Sequence, residues 1–355
     1  MIVNPETGRR ARVSVIIKTL NEEAHIAQAI ESALKAVAPF DGDVTVVDSI
    51  SSDHTVAIAA RYPIRVISLA APSDRSCGIG PELGYRESPG EYVYLLDGDM
   101  ELDADFLREA VSRLDTDSGL AGVGGRIEDV HSDDIDSKVR IQRAAGHTAG
   151  AADRLNGGGL YRRSAIEQLG YLGDRNLHSF EEFDLGARLL GRGWRIIRLD
   201  RRAVRHFGYT VNPYRLLLRR FRTGYIFGTG EIVRASISAG YTGSLVRLRG
   251  LGIAAGLLVF WSMVIVIALA GAGWMAGLVA VAVPLVAVGV MSLRRRSLEI
   301  GVYSVVAWHA SALGLLVGFL RPRTSPTAPI RSRLLRTPVS PLAAPADDGQ
   351  SFPDR

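Results

Sequence analysis

Two aspartates separated by one glycine follow directly on a buried-strand pattern, Tyr92 to Leu96. Carboxylates at the C-terminal end of such a strand lie where open α/β sheets bind ligands. Asp97 and Asp99 would repel each other and lose hydration unless a cation lies between them. A divalent cation that also holds a substrate diphosphate satisfies this requirement. The alternative is a plain strand followed by an Asp-Gly turn.

A second group of candidate residues lies farther along the chain. Three consecutive glycines, Gly157, Gly158 and Gly159, let the backbone approach a sugar or a phosphate closely, although a plain flexible loop is the alternative. An acidic stretch follows and contains Glu181 and Glu182. These carboxylates are candidate site residues. Acids that only interact with the dipole at a helix start are the alternative.

The elements that must position these residues alternate between strand and helix patterns before residue 210. We predict strands at Val13 to Lys18, Val44 to Val47, Ile64 to Leu69 and Tyr92 to Leu96, with helices between them. This order predicts a parallel α/β sheet whose strand ends meet at one edge. Neither a glycine-rich dinucleotide fingerprint nor a P-loop is present, so side chains and loop amides would hold a bound nucleotide.

Composition limits the class of protein. A chain of 355 residues that is 47% apolar can bury a sizeable core, and its length suggests two units. The net charge of +5 comes without a basic run interleaved with aromatic residues, so we expect no nucleic-acid partner. The single cysteine, Cys77, excludes internal disulfides and a cysteine-based zinc site. Met1 to Arg12 is polar, which predicts no signal peptide and a cytoplasmic N-terminal part.

The chain also carries a long apolar stretch. No charged residue occurs from Leu251 to Leu293. About 20 residues cross a bilayer as a helix, so this stretch fits two spans joined at Gly271-Ala272-Gly273. Arginines precede the stretch, and Arg294-Arg295-Arg296 follow it, so the positive-inside rule places both flanks in the cytoplasm. We expect a multi-pass protein of the inner (plasma) membrane, in contact with membrane lipids.

Sequence character divides the chain into four parts: an α/β domain (1–210), an amphipathic interfacial region (211–248), a transmembrane region (249–320) and a proline-rich tail (321–355). The interfacial region mixes arginines with aromatic residues and leucines, which is typical of a helix at a membrane surface. In the transmembrane region, a third apolar segment, Ile300 to Leu320, is long enough to span, but a span would place the following arginines outside. Whether it spans stays open. The tail holds seven prolines, so we expect it to be disordered.

Three segments, in this order, resemble glycosyltransferase family 2. They are Val13-Ser-Val-Ile-Ile-Lys-Thr-Leu-Asn21-Glu22-Glu23, then Val46-Val47-Asp48 with Ser51-Ser52-Asp53-His54-Thr55, then Gly90-Glu91-Tyr92 through Asp97-Gly98-Asp99-Met100. The resemblance covers about the first 210 residues. It implies a GT-A fold, in which a nucleotide-sugar-binding sheet is flanked by helices. It also implies a nucleotide-sugar donor and an Asp-x-Asp site for Mg²⁺ or Mn²⁺.

The resemblance also implies roles for residues around the nucleotide. In the family, the residues that match Thr19, Asn21 and Glu22 line the nucleotide pocket, and the residue that matches Asp48 contacts the base. Arg75 matches an arginine that usually lies in an Ala-Arg-Asn context, whereas here the context is Asp-Arg-Ser. Taken without the resemblance, Asn21 and Glu22 could serve only as a helix cap, and Asp48 only as a turn residue.

Further implied roles concern the sugar diphosphate and the metal. Asp97 and Asp99 match the Asp-x-Asp site, and a histidine at the position of His206 can join the metal or diphosphate site in related enzymes. A lone histidine is equally well explained as structural. We expect Asp97, Gly158 and Gly159 to contact the nucleotide sugar.

The acidic stretch resembles the Glu-Asp motif of the family, which supplies the catalytic base. Glu182 stands at the place of the aspartate that acts as the base, and this departure moves the carboxylate by one methylene group. The base is therefore Glu182 or Glu181, and Glu182 is favoured. Asp184 is expected to be structural.

Together these features predict a membrane-bound inverting glycosyltransferase with its catalytic domain facing the cytoplasm. Its sugar would pass from a nucleotide-diphosphate sugar to a lipid-linked or cell-envelope glycan acceptor. One alternative is a nucleotidyltransferase on a related fold, and another is a processive polysaccharide synthase. The Gln-x-x-Arg-Trp motif of processive synthases is absent at the matching place, Arg219 to Gly224, which argues against polymer synthesis.

Overall fold

A computed structural model describes residues 11–130, 149–208 and 212–337. The first 10 residues and the predicted domain boundary near residue 210 lie outside these ranges. Ten strands among the described residues form one mixed sheet, in the order β10-β3-β2-β1-β4-β8-β6-β9-β5, with β7 paired to β9. The strands are β1 Val13–Thr19, β2 Asp43–Asp48, β3 Arg65–Leu69, β4 Tyr92–Asp97, β5 Met100–Leu102, β6 Leu120–Asp129, β7 Gly150–Ala151, β8 Gly159–Arg162, β9 Arg195–His206 and β10 Ser332–Arg336.

Helices flank the sheet and continue beyond it. Those of the first part are α1 Ile26–Val37, α2 Thr55–Ala59, α3 Ile79–Glu87, α4 Ala104–Thr116, α5 Arg163–Glu167 and α6 Glu181–Gly191. Those of the second part are α7 Pro213–Arg222, α8 Gly228–Ala239, α9 Arg249–Leu269, α10 Gly273–Arg295 and α11 Leu298–Leu320. The four predicted strands are confirmed, each within a residue or two of its expected ends, as are the helices between them.

The register of the parallel strands brings the candidate residues together. In β1, Lys18 lies opposite Asp97 of β4, and Thr19 lies opposite Asp48 of β2. Successive side chains of a strand point to opposite faces, so Ile17 packs into the core on one face of the sheet and Ile16 into the core on the other. Both faces of the sheet are covered by other elements. The candidate residues lie at the edge formed by the C-terminal ends of the parallel strands.

Three helices of the described chain, α9, α10 and α11, are long and apolar enough to cross a membrane. Only a small part of each is buried within the protein. The helix α11 contacts the rest of the chain most closely: Gly314 and Gly318 lie against the carbonyl groups of Ile226 and Phe227, where a Cβ atom would have no room. Close backbone contact of this kind requires glycine.

The tail was expected to be disordered, and this prediction is wrong for residues 321–337, here called the strap. Its strand β10 pairs antiparallel with β3. Arg323 forms an ion pair with the fully buried Asp174, and Arg86 donates to the carbonyl oxygen of Ala328 at 2.9 Å. Composition did not predict these contacts, because arginines and backbone groups, rather than buried apolar surface, hold the strap against the rest of the protein. The remainder of the predicted tail, 338–355, lies outside the described residues.

Candidate active site

The end of β4 carries Asp97, whose carboxylate is paired with a lysine. Lys18 Nζ lies 3.1 Å from Asp97 Oδ1 and 3.2 Å from Glu181 Oε1. Burial lowers the pKa of Lys18, but the two carboxylates outweigh burial and raise it. Burial raises the pKa of Asp97, against the opposing effect of Lys18. A positive charge beside Asp97 is therefore supplied by a side chain.

Asp99 has a different neighbour, His206. Asp99 Oδ2 lies 3.2 Å from His206 Nε2, and His206 Nδ1 lies 2.6 Å from Asp129 Oδ1. Burial would raise the pKa of Asp99, but the hydrogen bond and charge of His206 outweigh burial and lower it. A carboxylate on the far ring nitrogen is the arrangement that orients metal-ligating histidines.

The residues present fit a divalent cation held partly by a ligand. Within the described ranges, no group of three or more His, Cys, Asp or Glu side chains is arranged to hold a metal ion alone. However, Mg²⁺ in phosphate-handling sites is usually held by one or two carboxylates together with substrate phosphates. Asp99 and His206 offer one oxygen and one nitrogen, and nitrogen ligands suit Mn²⁺ as well.

The two glutamates lie in the first turn of α6 and have different environments. Glu181 contacts Lys18, whereas Glu182 Oε1 accepts a hydrogen bond from the Gly157 amide at 3.0 Å. Burial and the charge of Glu181 raise the pKa of Glu182 to about 7. A carboxylate with such a pKa exchanges protons near neutral pH. Asp184 is structural, as expected: it is buried and accepts a 2.5 Å hydrogen bond from the Tyr241 hydroxyl.

The predicted nucleotide residues Thr19, Asn21 and Glu22 lie beside the ends of β1 and β2. Asn21 has a positive φ of 59°, and its Oδ1 accepts a 2.7 Å hydrogen bond from the Ser52 amide, so it ties two loops together. It does not cap α1, which begins only at Ile26. The hydroxyl oxygen of Thr19 is buried and has no partner among the described residues.

Asp48 and Arg75 also lie near this edge, and both stabilise the loop after β2. The carboxylate of Asp48 accepts hydrogen bonds from the Ser51 amide and the Ser68 hydroxyl. Arg75 donates to the carbonyl oxygens of Ser49 and Ile50 at 2.7 and 2.6 Å. The guanidinium thus shapes the loop that Asp48 begins.

The three glycines contribute backbone, rather than side chains, to the site. Gly157 and Gly158 have positive φ angles of 64° and 107°. A Cβ atom on Gly158 would lie 2.8 Å from the carbonyl oxygen of Leu95, so the close approach that requires glycine is made to β4. Gly159 then pairs with Leu95 in the sheet.

Sequence reasoning assigned no role to three residues that the structure places in or near the site. Lys18 interrupts an apolar strand, and lysine is almost never buried unless paired, so its position was a usable signal. Asp129 gave no signal, because its contact with His206 depends on the pairing of β6 with β9. Glu231 contacts the His178 ring at 2.9 Å, just before α6, and also lacked a signal.

The fold agrees with the comparison to known families. The sequence model described as Glycosyl transferase family 2 matches residues 14–170. This match covers less than half of the chain, so residues 14–170 are similar to the family, and the sheet with its flanking helices forms a GT-A fold.

Similarity to individual relatives covers a limited part of each. Glucomannan 4-beta-mannosyltransferase 2 of Arabidopsis thaliana is 28% identical over 146 residues, which are 38% of this chain and 27% of the relative. Succinoglycan biosynthesis protein ExoO of Rhizobium meliloti (strain 1021) is 34% identical over 112 residues, 31% of this chain and 32% of the relative. The chain thus spans about a third or less of these relatives.

A solved structure is similar over a much larger part of the chain. The mannosyltransferase PcManGT from Pyrobaculum calidifontis, in complex with GDP-Man and Mn²⁺, has a TM-score of 0.56 and 19% sequence identity. The similarity covers 88% of this chain and 89% of that chain. At this level of identity it shows the fold.

Proposed function

We propose that this protein is an inverting glycosyltransferase that moves a sugar from a nucleotide-diphosphate sugar to a lipid-linked or cell-envelope glycan acceptor. The observation that carries the proposal is the meeting of Asp97, Asp99 and Glu182 at one edge of a GT-A sheet. The similarity of residues 14–170 to glycosyltransferase family 2 supports a nucleotide-sugar donor. The buried Thr19 hydroxyl, which has no partner within the described ranges, supports a ligand beside the end of β1.

Asp99 and His206 would hold the divalent cation together with the donor diphosphate, and Asp97 lies next to them. A cation bound there would supply Lewis-acid neutralisation of the leaving diphosphate. Support comes from the short contacts among Asp99, His206 and Asp129. The solved relative PcManGT binds GDP-Man and Mn²⁺, which is the chemistry proposed here.

Glu182 would take the proton from the acceptor hydroxyl while that oxygen attacks the sugar from the face opposite the diphosphate. A positioned base of suitable pKa contributes typically ~10²–10⁴-fold to the rate. The pKa of Glu182, about 7, suits this role, and Glu181 is occupied by Lys18. This distinction supports Glu182 over Glu181.

The acceptor would arrive along the membrane surface. Helix α7 exposes an apolar stripe of Tyr214, Leu218 and Phe221, with arginines Arg215, Arg219 and Arg222 at the neighbouring positions. Basic amphipathic helices of this kind lie at the boundary between headgroups and acyl chains. The chain then turns through Gly224 to Tyr225–Phe227, beside the loop that leads into α6. An acceptor anchored in the membrane could thus reach Glu182.

The membrane topology we propose is a two-span hairpin of α9 and α10, with α11 on the cytoplasmic side. Before the three helices, Tyr241 contacts Asp184, and after them Arg323 contacts Asp174, so both flanks touch the same domain. Three crossings of a bilayer with a core about 30 Å thick would separate these flanks, which supports an even number of crossings. Helix α11 also contacts the domain side near both its ends, through Tyr303 and Gly318.

Donor binding tests the function. Purified full-length protein should gain thermal stability from one class of nucleotide sugar when Mn²⁺ or Mg²⁺ is present, and turnover should release a nucleoside diphosphate. Release of pyrophosphate would instead favour the nucleotidyltransferase. A polymeric product on a single acceptor would favour the processive synthase.

Cysteine labelling in intact cells tests the topology. In a Cys77→Ala background, Trp274→Cys at the hairpin tip should react with a membrane-impermeant maleimide from outside. Thr327→Cys in the strap should react only after lysis, like the control Ser112→Cys on α4. External labelling of Thr327→Cys would contradict the hairpin.

A further inference from the structure

Lys18 joins two sides of the site that come from distant segments. Its ammonium group contacts Asp97 at the end of β4 and Glu181 at the start of α6. The side chains of Lys18, Asp97 and Glu181 are 23%, 32% and 15% exposed. The contacts are therefore shielded from most solvent but open on one side to a ligand.

The lysine pairs with one member of each of two acidic pairs. Asp97 lies two positions before Asp99 in the chain, and Glu181 directly precedes Glu182. Like charges at such distances raise the free energy of the ionised state, and a nearby cation lowers it. Lys18 therefore lowers the free energy of the ionised state in both acidic pairs. Asp99 and Glu182 are left facing other partners, His206 and the Gly157 amide.

Two cations cannot share Asp97 without repulsion. Positive charges a few ångström apart repel each other more strongly near a protein than in bulk water, because the effective dielectric constant is lower there. A divalent cation that approaches Asp97 must therefore displace the ammonium group or bind without this carboxylate. The carboxylate of Asp99 instead contacts His206 Nε2 at 3.2 Å, and a neutral imidazole nitrogen is itself a metal ligand rather than a competing ammonium group.

We propose that Lys18 is a positioning residue that holds Asp97 and Glu181 together and competes with the divalent cation for Asp97. It thereby directs the cation towards Asp99 and His206, and it leaves Glu182 as the glutamate that faces the acceptor. The inference rests on the proposed function for the roles of these groups. The main test of the inference needs no turnover, so the inference and the proposed function can fail separately.

Mn²⁺ binding to the full-length protein without donor provides that test, measured by electron paramagnetic resonance at pH 8. Lys18→Met should bind Mn²⁺ about tenfold more tightly than the wild type, because a competing positive charge is removed. Lys18→Arg should retain wild-type affinity, as should Lys35→Met, which removes an exposed lysine of α1. Equal affinities of Lys18→Met and wild type would overturn the proposal. Failure of every nucleotide sugar to bind would overturn the proposed function and leave this comparison intact.

A double-mutant cycle tests the link to Glu181. Lys18→Met leaves two carboxylates without their cation, whereas Lys18→Met combined with Glu181→Gln removes opposite charges together. The double variant should melt at a higher temperature than Lys18→Met alone, because coupled residues deviate from additivity. Additive effects would overturn the bridging role. If Lys18→Met does not fold, the double variant carries the Mn²⁺ measurement, with the same expected tightening.

Discussion

The α/β domain and the C-terminal helices depart from the usual distribution of residues in opposite ways. The domain buries charge: Asp48, Asp174 and Asp184 are at most 1% exposed. The helices expose apolar side chains: Leu269 and Leu293 are each 83% exposed. A buried charge is costly unless it is paired, and a large exposed apolar surface marks an interaction site.

The two departures have different explanations. Each of the buried aspartates has partners within the chain, such as Arg188 for Asp184. The exposed leucines of α9 and α10 have no comparable cover among the described residues, which fits contact with lipid. Paired buried charge thus marks contacts that hold the domain together, and apolar exposure marks a surface that is suited to a membrane.

Removing Asp99 should have the largest effect on activity, since this carboxylate is a proposed metal ligand. We expect Asp99→Ala to lower turnover by about three orders of magnitude or more, because the charge of the leaving diphosphate loses its neutralising cation. It should also abolish the stabilisation by nucleoside diphosphate that depends on Mn²⁺, measured by thermal shift. Asp200→Ala, at an exposed acid of β9, should change neither. Wild-type nucleotide affinity that is unchanged in EDTA would refute the metal site.

Glu182→Gln should have the next largest effect on activity. Donor binding should be kept, and transfer should fall by ~10²–10⁴-fold because the base is lost. Glu181→Gln is the matched control and should retain more activity. The reverse order would make Glu181 the base, and full activity of both would exclude a base in this motif.

The pH dependence sharpens the same prediction. The wild-type rate should fall as pH drops below about 7, where Glu182 becomes protonated. Because its folded pKa lies above the ordinary value, the stability that Glu182 contributes is present at low pH and is lost as pH rises towards 7. Glu182→Gln should therefore melt above the wild type at pH 8, and this advantage should shrink towards pH 5.

Breaking a buried ion pair of the strap should destabilise the domain. Arg323→Ala leaves the fully buried Asp174 without its cation, and we expect a loss of about 3 kcal/mol in the free energy of unfolding. Arg331→Ala removes an exposed pair with Asp74 and should cost about 0–1 kcal/mol. Denaturation of the full-length protein in detergent measures both. Equal small losses would mean that the strap is not fastened by charge.

The last prediction concerns membrane insertion, when one charge is placed in the exposed apolar surface of α10. Leu285 lies near the centre of α10, so Leu285→Asp should cost about 2.5–3.5 kcal/mol of insertion free energy. Leu293, near the end of the same helix, is even more exposed, yet Leu293→Asp should cost little. Carbonate extraction measures the membrane-integrated fraction. Equal behaviour of the two variants would mean that α10 does not lie across a bilayer.

Sequence alone determined the order of elements and the set of strand-end acids. Runs such as Val13 to Lys18 and Tyr92 to Leu96 are local signals, and a parallel arrangement brings their C-terminal ends to one edge. Asp97 and Asp99 could therefore be named before any contact was known, and the two glutamates were named from the family motif that their stretch resembles. The two apolar helices α9 and α10 were equally predictable from the sequence, because candidate membrane spans are recognised by length and hydropathy.

Tertiary structure decided which of these groups contact each other. Lys18 and Glu181 are 163 residues apart in the chain, and Asp129 and His206 are 77 residues apart, so no local pattern connects them. The strap escaped prediction for the same reason, since its arginines pair with acids that only folding brings near. Local sequence sets which residues end each strand, whereas the partners that neutralise a buried charge depend on how distant segments pack.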